Sequence, residues 1–153
     1  SAPETITRLL DMGLNPLNFS DAFLGVLAQR LTRRLCTNCR EEYPVTPDDF
    51  DVLISEYGKK FFGNTGIEYD SDMSLYKAAG CENCSGTGYR GRMGIHELME
   101  GTAKVKLMIK KQASTETILE QAMKEGMSTL KQDGILKVIQ GITDMAEVRR
   151  VCI

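Results

Sequence analysis

The sequence predicts a helix-rich, mixed α/β chain carrying a cysteine-stapled insertion, and three observations lead there. Two Cys-x-x-Cys pairs, Cys36-Thr-Asn-Cys39 and Cys81-Glu-Asn-Cys84, bracket a polar stretch. An alternating run from Tyr89 to Met99 reads as a strand or hairpin arm, and from Thr102 onward the apolar residues recur at helical spacing. With 153 residues and 42% hydrophobic content the chain can bury a core, as one domain or a domain with a small satellite.

Taken in order, Ser1-x-x-Glu4 is a capping box that opens a helix at once, with Ile6, Leu9 and Leu10 on its apolar face and Gly13 as its stop. A chain that starts on a cap reads as a fragment whose remainder lies upstream. After the Asn15-Pro16 break, Asn18 or Ser20 is the expected cap of a second helix with Ala22, Phe23, Val26 and Leu27 on one face. Gln29 to Leu35 fits helix or strand equally well. Thr46-Pro47-Asp48-Asp49 caps a helix that should end at Gly58; Gly63, Asn64 and Gly66 mark a loop, and Leu75 to Ala78 a short strand. Residues 40 to 80 offer few large apolar groups, so a metal is expected to staple them, structural zinc being worth about 10 to 16 kcal/mol toward folding. Between Tyr89 and Met99, Met93, Ile95, Glu97 and Met99 alternate with Gly94, His96 and Leu98. Four short helices should follow, built on Val105, Met108 and Ile109, then Ile118, Leu119 and Ala122, then Leu130, Val138 and Ile139, then Met145, Val148 and Val151, and together forming a small bundle. Repeats and low-complexity segments are absent from the sequence.

Cys36, Cys39, Cys81 and Cys84 have the spacing of a closed tetrahedral zinc site, in which each tight turn supplies two thiolates and no position is left for water. Such a site holds a fold rather than performing chemistry; an iron-sulfur cluster or a dithiol redox pair are the competing uses. Ser85, Gly86, Thr87 and Gly88 follow the last ligand, small residues that let backbone amides turn toward sulfur. Four thiolates around Zn²⁺ leave two negative charges, which Arg33, Arg34, Arg40, Arg90 and Arg92 could balance; the same arginines also fit a solvated face or a nucleic-acid patch. Metal-spaced cysteines suit a reducing cytoplasm, and Cys152 reads as an incidental thiol at the end of a terminal helix.

The charge balance, 19 basic against 21 acidic residues, gives no global attraction to nucleic acid or anionic membrane. No apolar run reaches the roughly 20 residues of a membrane span, and no signal-peptide pattern opens the chain. The phosphate-cradling pattern Gly-x-x-x-x-Gly-Lys-Ser/Thr does not occur, and His96 is the single histidine. No catalytic residue is therefore assigned, and ATP hydrolysis by this chain alone is not expected.

Three stretches carry a resemblance: Ala-Pro-Glu-Thr-Ile-Thr-Arg-Leu-Leu-Asp-Met-Gly from Ala2, Leu-Gly-Val-Leu-Ala-Gln-Arg-Leu-Thr-Arg-Arg-Leu-Cys ending at Cys36, and Gly-Tyr-Arg-Gly-Arg-Met-Gly-Ile-His-Glu-Leu from Gly88. With the four cysteines, this order resembles the C-terminal third of the type II secretion and type IV pilus assembly ATPases. The resemblance implies a cytoplasmic hexamer, peripheral to the inner membrane through its partners, whose ATP- and Mg²⁺-binding motifs lie upstream of Ser1. It implies the end of a RecA-like core at 1–35, an inserted zinc subdomain at 36–88, a core strand region at 89–101 and a C-terminal helical bundle at 102–153. Gln29 to Leu35 would then be a strand beside Gly91 to Leu98. Implied partners are further copies of the chain and the inner-membrane platform or cytoplasmic docking proteins of the machine, with no nucleic acid. Related retraction ATPases lack the insertion but are similar around Gly91-Arg92 and Glu97, which implies a core or interface role there; Arg90 or Arg92 would reach nucleotide or sit at a strand edge. Two rivals remain: Cys81-x-x-Cys84-x-Gly86-x-Gly88 resembles one repeat of the cysteine-rich domain of J-domain chaperones, and a zinc ribbon that binds nucleic acid needs only four cysteines and local arginines.

Overall fold

The computed structural model describes residues 1–152, which divide into two compact units: residues 1–29 with 96–130, and residues 30–95 with 131–152. Strands β1 (Gly25–Leu35) and β4 (Tyr89–Glu100) pair with one another. The stretch that periodicity left open, Gln29 to Leu35, is thus strand, beside the neighbour the resemblance implied.

In the first unit the capping box holds. Ser1 Oγ accepts from Glu4 N, and helix α1 (Ala2–Asp11) follows. The second helix departs from expectation. It is α2 (Pro16–Ala22), capped by Asn15 rather than Asn18 or Ser20, because Asn15 Oδ1 accepts from the N–H groups of Leu17 and Asn18 and Pro16 is already set at the first helical position. It stops at Phe23, so Val26 and Leu27 belong to β1 and not to a helical face. Glycine permits that change of course: a Cβ on Gly25 would lie 3.0 Å from Met99 O, and one on Gly101 2.6 Å from Phe23 O. Helices α5 (Ala103–Lys110) and α6 (Thr115–Lys124), capped by Thr102 and Ser114, complete this unit. Its core is Ala2, Ile6, Phe23, Met99, Val105, Ile109, Ile118 and Ala122. Glu97, also buried, accepts from Ala2 N at 2.6 Å and Leu130 N at 3.1 Å, a carboxylate placed where two helix N-termini need an acceptor.

In the second unit, strand β2 (Glu41–Pro44) pairs antiparallel with β3 (Ser74–Lys77), Glu41 opposite Lys77 and Pro44 opposite Ser74. Between them run α3 (Pro47–Tyr57), which has the expected Thr46 cap and Gly58 end, then α4 (Lys59–Phe62) and a 3₁₀ turn over Gly63–Thr65. Helix α7 (Leu130–Ile139), from its second residue onward, and α8 (Met145–Val151) pack in the same unit.

Residues 40 to 80 are not short of apolar support, which corrects the expectation that metal alone would hold them. Val45, Phe50, Leu53, Tyr57, Phe62 and Leu75 form one core with Ile135, Val138 and Val148. Phe62 meets Phe50 and Tyr57 edge-on at 5.5 and 5.4 Å between ring centres. At about 1.5–3 kcal/mol for each large side chain buried, this core rivals the contribution expected of a metal. A third of it comes from helices at least 60 residues further along the chain, so local composition could not reveal it. None of the described helices is long and apolar enough to cross a membrane.

Candidate metal centre

The two cysteine turns belong to the second unit. Cys36 follows the end of β1, and Cys39 N and Arg40 N both return to Cys36 O, closing the first turn. The second turn is a 3₁₀ helix over Glu82–Cys84, closed by Cys84 N and Gly86 N on Cys81 O. Left-handed backbone at Ser85, Gly86 and Gly88 then swings the chain back toward the sulfurs.

All four Sγ atoms lie within 4.8 Å of one another. Cys36–Cys81, Cys39–Cys84 and Cys81–Cys84 are each separated by 3.8 Å, far beyond the roughly 2.05 Å of a disulfide. That spacing is about the edge of a tetrahedron whose corners lie about 2.3 Å from a central ion. The four cysteines could therefore hold a metal ion, with Cys36 and Cys84 buried and Cys39 and Cys81 partly so.

Hydrogen-bond donors surround the sulfurs. Gly88 N and Cys81 N donate to Cys84 Sγ at 3.2 Å each, Gly80 N to Cys39 Sγ at 3.3 Å, and Asn38 Nδ2 to Cys81 Sγ at 3.3 Å. Burial raises the Cys84 thiol, but the two N–H donors outweigh it and bring its pKa down to about 6. The Asn38 amide lowers Cys81, and burial pushes Cys39 up to about 12. Gly88 is required sterically as well: its φ is +83°, and a Cβ there would lie 2.6 Å from Ala78 Cβ.

The amides near glycine match the sequence expectation, whereas Asn38 was missed. A signal existed, since asparagine precedes the second cysteine in both pairs, at Asn38 and Asn83. The arginines do not behave as one set. Arg33 is engaged by Glu147 and lies over the Tyr89 ring at 4.2 Å. Arg40 lies over the Tyr76 ring at 4.0 Å and donates to Gly141 O at 2.6 Å. Arg33 is thus paired with a carboxylate, whereas Arg40 meets only neutral groups and keeps its charge next to Cys39 in the chain. Arg34, Arg90 and Arg92 are exposed around a surface cavity of about 680 Å³ that reaches Cys36. His96 is exposed on β4 in the first unit, and Cys152 sits partly buried against the second unit's core.

These features define a mixed α/β protein with four cysteines placed so that they could hold a metal ion. The sequence matches the family described as Type II/IV secretion system protein over residues 1–150, and the chain belongs to that family. It is 42% identical over 147 residues to the type IV pilus assembly ATPase PilB of Thermus thermophilus, covering 96% of this chain and 15% of that protein. It is 38% identical over 153 residues to PilB of Pseudomonas aeruginosa, covering 99% and 25%, and 38% identical over 151 residues to the type II secretion system ATPase E of Vibrio cholerae, covering 99% and 27%. The chain spans about a quarter or less of the length of these relatives.

Proposed function

We propose that this chain is the zinc-bearing C-terminal part of an ATPase that powers type II secretion or type IV pilus assembly, contributing subunit packing and partner docking rather than catalysis. The observation that carries the reading is the four-cysteine cluster set within a sequence that belongs to the secretion family. Zinc suits the donor set: four thiolates at tetrahedral spacing form a closed structural site, and backbone N–H groups aimed at sulfur offset the excess charge. On this reading Cys36, Cys39, Cys81 and Cys84 are the ligands. The β1–β4 pair is the edge of a RecA-like core, with the end of that core at 1–35, the zinc subdomain at 36–88, the core strand region at 89–101 and the helical part at 102–153. The parent binds ATP and Mg²⁺ through residues this chain does not contain, works as a cytoplasmic hexamer, and meets the inner membrane through partner proteins.

The test uses the parent and the chain together. The 153-residue chain should release no phosphate from ATP, and Cys81→Ser in the full-length parent should reduce pilus or secretion output along with bound zinc. Protein-dependent ATP turnover by the clean 153-residue chain, or full output from a zinc-free parent, would contradict the reading.

A further inference from the structure

Two surface cavities of the second unit meet at Arg92. One, of about 540 Å³, is lined by Leu31, Thr32, Arg33, Arg92 and Arg150; the other, of about 680 Å³, includes Arg34, Arg90, Asn38 and Asn83. Arg33 and Arg150 share one partner, Glu147, which offsets one of their two charges. Arg34, Arg90 and Arg92 are exposed, and no described residue pairs with them. Three uncompensated guanidiniums line one furrow on a chain whose net charge is -2, and planar guanidiniums match carboxylates in geometry. The lining carries no aromatic platform for bases, which disfavours single-stranded nucleic acid as the occupant.

A matching element lies in the same unit. The loop Glu68-Tyr69-Asp70-Ser71-Asp72 carries three exposed carboxylates at alternate positions. It is held in shape: the Tyr69 hydroxyl donates to Val45 O at 2.9 Å, its ring lies 5.5 Å from that of Phe50, and Asp70 Oδ1 accepts from Asp72 N at 2.8 Å. A loop already ordered loses little freedom on docking.

We infer that the furrow of Arg34, Arg90 and Arg92 receives the Glu68–Asp72 loop of a second copy of this chain. Because donor and acceptor surfaces differ, the contact is head-to-tail, the kind that repeats around a ring. It rests on the homo-oligomer reading above and is independent of the zinc assignment.

Two variants test it, Arg34→Glu/Arg92→Glu and Glu68→Arg/Asp72→Arg, both confined to exposed side chains. Sedimentation of the wild-type chain should show association that weakens at least tenfold between 0.1 and 1 M salt, as the screening length falls from about 10 to about 3 Å. Each variant alone should remain monomeric, and a one-to-one mixture should associate again, since every furrow then meets a loop of opposite charge. Zinc content measured on each sample separates loss of the contact from loss of the metal centre. A wild-type chain that stays monomeric, variants that associate as the wild type does, or a mixture that stays monomeric would overturn the contact. So would wild-type chain that binds a labelled single-stranded oligonucleotide in place of itself. A full-length parent that still forms hexamers with either variant would overturn the contact while leaving the oligomer reading standing.

Discussion

Arg33 grips Glu147 with three donors: Nε and Nη2 reach Oε1 at 2.9 and 2.7 Å, and the Arg33 backbone N–H reaches Oε2 at 2.9 Å. Arg150 adds Nε and Nη2 from the next turn of α8, at 3.2 and 2.9 Å. Glu147 is 1% exposed, so its charge survives burial only through these partners. The arrangement fastens α8 to β1, and the Thr143 hydroxyl, donating to Arg33 O at 2.9 Å, reinforces it.

Acid should release this fastening. Burial raises the Glu147 carboxyl, but the hydrogen bonds from Arg150 and Arg33 overcome it and hold the pKa at about 2, below the usual 4.5. A depressed carboxylate stabilises the fold above its unfolded value and loses that contribution as pH falls through the folded one. The loss therefore begins near pH 4.5 and is complete near pH 2, amounting to about 3 kcal/mol. Glu147→Gln should be less stable than wild type at pH 7, and the gap should close toward pH 2. Denaturant midpoints measured across that range check it, and a gap independent of pH would refute it.

Gly88→Ala should damage the metal centre without touching a ligand. The new Cβ would collide with Ala78 and disturb the N–H that supports Cys84 Sγ. Loss of such a supporting hydrogen bond costs about 10- to 100-fold in metal affinity. Competition with a chromogenic chelator measures the shift.

The aromatic core between β2 and β3 should outlast the metal. Chelation is expected to release the cysteine turns while amides of α3 stay protected from exchange, because Phe50, Leu53 and Phe62 share a core with Ile135 and Val138 to which Cys36, Cys39, Cys81 and Cys84 do not belong. Leu53→Ala should instead cost about 2–5 kcal/mol with metal still bound. Hydrogen exchange before and after chelation distinguishes the two, and collapse of α3 protection on chelation would show the metal to be the main staple after all.

Local signals in the sequence were read well where they were self-contained: the Ser1 and Thr46 caps, the Gly58 stop, the cysteine turns and the β4 alternation all stand in the structure. The misread second helix shows the limit. Phe23, Val26 and Leu27 have acceptable helical spacing, and what decides against it is the Asn15 cap together with pairing to β4, a partner more than 60 residues away. Glu97 sat among apolar positions in the alternation, and the reason it is buried, the unpaired N–H groups of Ala2 and Leu130, comes from distant parts of the chain. The four cysteines were legible because two short turns carry the whole geometry; Arg33 and Arg40 were not, because Glu147 and Gly141 lie over 100 residues beyond them.

Elemental analysis of the chain purified under reducing conditions without added metal tests the proposed four-thiolate zinc site. One zinc per chain is expected, falling well below one in each of Cys36→Ser, Cys39→Ser, Cys81→Ser and Cys84→Ser and remaining at one in Cys152→Ser. A folded, reduced chain without zinc, or zinc retained in full after loss of any of the four, would contradict it.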